Sequence, residues 1–214
     1  MTNFIPIFPL NVVVYPGEIL NLHIFEPRYK ELVKECFENK KAFGIPAVIN
    51  GQVAEYGTLV TIQEIAKEYD NGEMDIITNG TTVFRILEII KKIPDKLYSG
   101  AIVNYPENTL EYENRDLMQK VINAIRELHR LLHISKDFKK PDSELIAYDI
   151  AHHAGLSLEE EYEFLGLFRE EQRQEYLKRH LSRVLPVIAE MESLKEKVKL
   201  NGHFRNLSSF DFEA

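Results

Sequence analysis

The hydrophobic period along the chain changes once. Up to about residue 107 the apolar residues form short, alternating or β-branched runs, and from about residue 113 they recur at helical spacing. The opening runs, FIPIFPL and NVVVY, are rich in strand formers but broken by prolines. Pro6 and Pro9 cannot donate to a ladder, so this stretch predicts an edge or an irregular crossing. Pro16-Gly17 marks a turn, and Ile19 to Phe25 reads as a strand. AFGIPAVI is a short apolar strand closed by Asn50-Gly51, a pair suited to a tight hairpin. GTLVTIQEIAKEY alternates, with Leu59, Thr61, Gln63 and Ile65 on one side and Val60, Ile62 and Glu64 on the other. Asp70-Asn71-Gly72 is a second hairpin signal. MDIITNG, TTVFRILEII and LYSGAIVNY bring the total to about six or seven strands. Hairpin connections imply a mainly antiparallel sheet, closed or nearly closed upon itself.

One helix interrupts the strands. Tyr29, Leu32, Val33, Cys36 and Phe37 fall on a single helical stripe, which predicts a face turned into the sheet's core. Pro27 suits the first helical position, where its missing N–H would be unpaired anyway. Glu26 precedes it, near the positive helix end. Arg28 is expected to pair with Glu26 or with carbonyls of a neighbouring strand.

The second half predicts helices only. Leu117, Val121, Ile125, Leu128 and Leu132 form the stripe of a helix from Arg115 to Ile134. A second helix is expected from about Ser143 to Ala154, stopped by Gly155 in the left-handed cap conformation. Ser157 and Glu160 have capping-box spacing and should start a third. The longest helix runs from near Arg169 to Lys199, with Leu177, Leu181, Val184, Ile188, Met191 and Leu194 inward and a kink at Pro186. The tail NGHFRNLSSFDFEA has no period and is expected to pack irregularly or fray. The fold class is therefore α+β, with a β-rich subdomain over residues 1–110 and a helical bundle over 111–214.

The chain has 214 residues and a formal charge of −8. Lys and Arg are interleaved with Asp and Glu, which argues against a surface that tracks nucleic-acid phosphates. No apolar run approaches the roughly 20 residues needed to span a bilayer. One cysteine allows no internal disulfide, and the N-terminus lacks a signal-peptide pattern, so a cytoplasmic protein is expected.

No catalytic constellation stands out. The phosphate-binding loop, the dinucleotide fingerprint and the nucleophile elbow are all absent from the sequence. Cys36 falls on the inner side of its helix, as a small core residue rather than a nucleophile. His129 and His133 have a zinc-compatible spacing, but Arg130 stands where a zinc hydrolase carries its glutamate. Both flank the apolar stripe and are expected at the surface or its boundary. His152 and His153 point ~100° apart on a helix. No metal site, catalytic residue or cofactor is expected.

The first hundred residues carry a resemblance. IFPLNVVVYPGEILNLHIFEPRY is similar to the opening of the Lon protease N-terminal, or substrate-binding, domain family. The matching positions are Pro9, Leu10, Val13, Val14, Tyr15, Pro16 and Gly17, then Ile24, Phe25, Glu26, Arg28 and Tyr29. FGI at Phe43 to Ile45, YGTLVTI at Tyr56 to Ile62 and NGTTVFRI at Asn79 to Ile86 follow in the family's order. Tyr15 replaces the commoner Phe, and Asn21 stands where proline is common. The resemblance implies a PUA-like pseudo-barrel followed by a helical bundle, without the family's ATPase and serine–lysine peptidase domains. It implies a non-catalytic module that binds unfolded or exposed polypeptide, as an adaptor or quality-control factor, with a separate ATP-dependent protease as a candidate partner. Candidate contact residues flank the strand-to-helix joint and the FGI strand: Phe25, Arg28, Tyr29 and Phe43. Neither nucleic acid nor membrane is an expected partner. Two alternatives stand beside this reading: a PUA-like nucleic-acid-binding module, and a small hydrolase or metal-dependent enzyme.

Overall fold

In the computed structural model, which describes residues 2–111 and 115–205, strand β1 (Thr2–Pro6) leads to β2 (Ile19–Ile24) and helix α1 (Pro27–Glu38). Strands β3 (Phe43–Ile49), β4 (Gln52–Glu68), β5 (Met74–Ile90) and β6 (Gly100–Asn104) complete the first half. The pairings between these strands are antiparallel, in the order β1-β6-β5-β4-β3, and β2 adds to the first part of β5. Two turns set the hairpins. Asn50 and Gly51 both take positive φ, 52° and 77°, the conformation that matches the twist of flanking strands. At the second, Gly72 has φ 75° and donates its N–H to the Tyr69 carbonyl.

Strand length decides the shape of the sheet. MDIITNG and TTVFRILEII, read separately in the sequence, are one strand of 17 residues, matched by a β4 of the same length. Such strands outrun their neighbours: β5 pairs with β2 over its first half and with β6 over its second. NVVVY forms no strand, contrary to expectation. Pro9 interrupts the donors and the Pro16-Gly17 turn ends the run, so residues 7–15 act as a strap. Phe8 and Leu10 donate to the Gly44 and Pro46 carbonyls at 2.8 and 3.2 Å, and Val48 donates to Leu10 at 2.8 Å. The strap draws β3 towards β1, giving a curled pseudo-barrel and not a closed barrel.

The helical half comprises α2 (Arg115–Leu131), α3 (Ala147–Ile150), α4 (Leu158–Leu165) and α5 (Glu170–Arg205). On α2, Leu117 is buried, and Val121, Ile125 and Leu128 are buried in one cluster with Leu177 and Leu181 of α5. The helix expected over 143–154 is broken into a 3-10 turn at Asp142–Glu144, α3, and a 3-10 turn at Ala151–His153. Asp149 explains the restart: its Oδ2 accepts from the N–H of extended Ile146 at 3.0 Å, capping a new helix. Gly155 takes the expected left-handed conformation, φ 73°. Ser157 and Glu160 form the expected capping box, with reciprocal bonds of 3.3 and 2.9 Å. Helix α5 continues through Pro186 to Arg205; the rest of the expected irregular tail, 206–214, lies outside the described residues. The inward face predicted for α5 ends early: Val184 and Ile188 are half-buried, while Met191 and Leu194 are exposed.

The two halves share a core. Val13, Tyr15, Ala47 and Val83 from the first half belong to the same buried cluster as the helices. A second cluster lies under α1 and contains Tyr29, Leu32, Val33 and Cys36 with Phe43, Val60 and Ile76.

Candidate functional site

Helix α1 lies along one margin of the sheet. Glu26 is extended at its N-cap and Pro27 opens the first turn. Arg28 pairs with Glu26, as expected, with Nε and Nη2 at 2.9 and 2.7 Å from the same carboxylate oxygen. Its guanidinium also lies 4.5 Å from the Tyr29 ring centroid. Along the helix, Lys30 donates to the Asn71 carbonyl at 3.1 Å and Lys34 pairs with Glu68 at 3.4 Å. On another side Glu35 accepts from Lys96 and Tyr98, and these bonds hold its carboxyl below the usual range. The helix is thus pinned between the β4–β5 turn and the loop before β6.

The margin that α1 follows is an unpaired stretch of β4. Pairing with β3 ends at Phe43–Val60, so Thr61 to Glu68 pair with β5 alone. Register shifts after Ile62 and after Ile65 bend this edge, a common device that keeps an open edge from pairing freely. Between it and the end of α1 is an open groove of about 620 Å³, lined by Cys36, Phe37, Lys41, Thr61, Ile62 and Gln63 among others. Phe37 is 42% exposed, which corrects its expected place in the core. It sits at the margin of the α1 stripe, and its ring completes the groove instead.

The four expected contact residues divide evenly. Phe25, 59% exposed, and Arg28 face solvent at the start of α1. Tyr29 is buried and stacks on Phe8 with ring centroids 3.8 Å apart. Phe43 is fully buried between the sheet and α1. Tyr29 and Phe43 therefore stand in the core, where strand alternation and the helical stripe put them, and offer no surface to a ligand in this conformation. Phe37, Thr61 and Ile62 are absent from the contact residues expected from the sequence. A signal existed: the alternating run ending at Tyr69 is longer than AFGIPAVI, so part of it had to lack a partner.

The histidines assemble differently from their sequence spacing. Helix α2 ends at Leu131, and His133, exposed with φ 55°, lies beyond it. His129 is buried, not at the surface, and its ring lies 5.3 Å from that of His153. His153 is pushed down to about 4 by burial and by the nearby Lys136 charge. His152 bridges the two halves: Nδ1 is 2.6 Å from Glu161 and Nε2 is 3.1 Å from Glu18. Among the described residues no group of three or more His, Cys, Asp or Glu side chains could hold a metal ion, and no helix is long and apolar enough to cross a membrane.

A curled antiparallel sheet, drawn together by a strap and joined to a helical bundle, defines an α+β domain. The family model described as the ATP-dependent protease La (LON) substrate-binding domain matches residues 5–183, and the chain belongs to this family. Two solved structures share the fold. A Lon N-terminal domain protein from Xanthomonas campestris is 24% identical with a TM-score of 0.60, over 82% of this chain and 96% of that one. The N-terminal domain of the Mycobacterium avium complex Lon protease is 10% identical with a TM-score of 0.59, over 84% and 98%.

Proposed function

We propose that this chain is a non-catalytic module that binds exposed or unfolded segments of polypeptide, and that the α1–β4 groove receives them. The observation that carries this reading is the unpaired edge Thr61–Glu68 beside a groove walled by Phe37 and Ile62. An extended segment laid there gains main-chain hydrogen bonds from β4, while alternate side chains enter the groove. Main-chain pairing is tolerant of sequence, as a receptor for misfolded chains requires. Phe25 and Arg28 offer a second contact about 18 Å away, at the far end of the 12-residue helix.

We infer two subdomains, a β-rich one over residues 1–110 that carries the groove and a helical one over 111–214. Single contacts of this kind are weak, so useful selectivity comes from avidity or from a partner machine. We assign the protein an adaptor or quality-control role in the cytoplasm, delivering segments to a separate ATP-dependent protease, with no cofactor of its own.

The test is a titration with a reduced, alkylated globular protein as a permanently unfolded ligand, at low salt. Saturable binding that Phe37→Glu abolishes without lowering thermal stability supports the reading. Absence of binding at high micromolar concentration rejects it.

A further inference from the structure

A cleft of about 240 Å³ opens where the two halves meet. The turn before β2 lines it with Pro16, Glu18 and Ile19, and the segment leading through α3 lines it with Lys136, Lys139, Leu145, Tyr148 and His153. The loop that carries the lysines is anchored. The Lys136 carbonyl lies 3.3 Å from His129 Nδ1, and the Ile134 N–H donates to the His129 carbonyl at 2.9 Å. Between the lysines in sequence, Phe138 packs edge-on against His153 with ring centroids 5.2 Å apart. Arg126 lies 5.6 Å from the same Phe138 ring and is itself held by both oxygens of Asp142, at 2.8 and 2.7 Å.

The acidic groups around the cleft already have cations. Glu18 and Glu161 share His152. Asp149 takes Lys140 and the Ile146 N–H, at 2.7 and 3.0 Å, and the charge of Asp137 acts on Arg126. Lys136 and Lys139 are exposed and have no ion-pair partner among the described residues. The His153 ring is half-buried and makes no hydrogen bond among them. Charge from Lys136, His152 and Lys139 opposes its protonation, so the field at this imidazole is positive. The unspent charge of the cleft therefore converges on a ring whose nitrogens are free.

We propose that this cleft binds a small phosphomonoester, its phosphate held by Lys136, Lys139 and the His153 ring N–H, and its apolar body laid against Ile19 and Leu145. Lysine acts on a phosphate as a point charge. No arginine, whose planar fork matches a carboxylate, lines the cleft among the described residues. The ammonium groups and the imidazole are separate donors, which suits the several oxygens of a tetrahedral dianion. Ile19 is 50% exposed, so covering it adds apolar burial to the charge pairing. The cleft is formed by residues other than those of the α1–β4 groove, and its occupancy does not depend on what the groove receives.

Phenyl phosphate is the probe, titrated into the full chain at neutral pH and low salt and followed by NMR. Saturable shifts of the His153 ring and of the Ile19 and Leu145 methyl groups are expected, with a Kd of millimolar order or tighter. Lys136→Gln and Lys139→Gln should each weaken binding about tenfold. The melting temperature should stay unchanged in both, because the two side chains are exposed and unpaired. Inorganic phosphate should move the His153 signals but bind more weakly than phenyl phosphate, and so should benzoate. No saturation at high millimolar phenyl phosphate overturns the proposal. So does binding that neither lysine variant weakens, or that shifts residues away from the cleft. Benzoate binding the tighter of the two overturns the choice of phosphate, and inorganic phosphate binding as tightly overturns the organic ligand. A short oligoribonucleotide that displaces phenyl phosphate at lower concentration assigns the cleft to nucleic acid and overturns it too.

Discussion

Arg173 and Glu170, one turn apart on α5, form an ion pair 3.0 Å long that is closed to solvent on both sides. The remaining guanidinium donors reach the Thr109 carbonyl at 2.6 Å, the Leu167 carbonyl at 2.7 Å and Asn108 Oδ1 at 2.9 Å. Glu170 Oε1 accepts from the Ala147 N–H at 2.7 Å and from Gln174 at 3.0 Å. This pair fastens the link between the two halves to the first turn of α5. A buried ion pair gains little over an apolar pair of the same shape, but breaking one leaves a buried carboxylate without its partner. Arg173→Ala is expected to lower stability by about 3–5 kcal/mol, read by urea unfolding. Arg173→Met with Glu170→Gln should recover part of that loss.

His152 should make stability depend on pH above neutrality. Burial alone would lower its affinity for a proton, but hydrogen bonds and charge from Glu161 and Glu18 outweigh it and raise the group to about 9. The raised value stabilises the fold fully below the unfolded value of ~6.5, and this contribution is lost as pH rises through about 9. Because the site is one-third exposed, the expected loss is about 1–2 kcal/mol after solvent screening. Urea unfolding at successive pH values should show that slope in the wild type, and its absence in His152→Gln.

Two glycines of the family marks are needed for different reasons. Gly17 N–H donates to the Gly80 carbonyl and Gly80 N–H to the Glu18 carbonyl, both at 2.8 Å. A Cβ on Gly80 would lie 2.3 Å from the Tyr15 carbonyl oxygen, so the limit there is space. At Gly17 the space is open but φ is +86°, so the limit is conformation. Gly80→Ala should cost about 2–3 kcal/mol and Gly17→Ala about 1 kcal/mol, both measured by thermal or urea unfolding.

Cys36 should be a poor nucleophile despite lining the groove. Burial, followed by the Glu35 charge, pushes its thiol up to about 11. A thiol reagent at neutral pH should react slowly with the native chain and promptly once it is unfolded.

The fold was legible where local chemistry and pattern agree. Asn50-Gly51, Pro27 and the Ser157–Glu160 box each act within a few residues, and each forms the element its sequence predicts. The family marks lie where the strap and the turn after it meet the sheet: Gly17 meets Gly80, Thr58 donates its hydroxyl to the Val14 carbonyl, and the Gly44 carbonyl accepts from the Phe8 N–H. Features set by distant partners were not legible. NVVVY has strand composition, yet no neighbour is free to pair with it. Phe37 lies on the apolar stripe of α1, yet the sheet beneath that stripe ends before it. The unpaired edge of β4 follows from the unequal lengths of β3 and β4, a relation between two strands and not a motif within either.

Hydrogen exchange along β4 tests the central claim most directly. Amides of Thr61 to Glu68 would be followed with and without a saturating unfolded polypeptide. If the groove receives an extended chain, alternate amides of this edge become protected, and Phe37→Glu removes the protection. Saturable binding that leaves Thr61–Glu68 unchanged while protecting another surface would contradict the account.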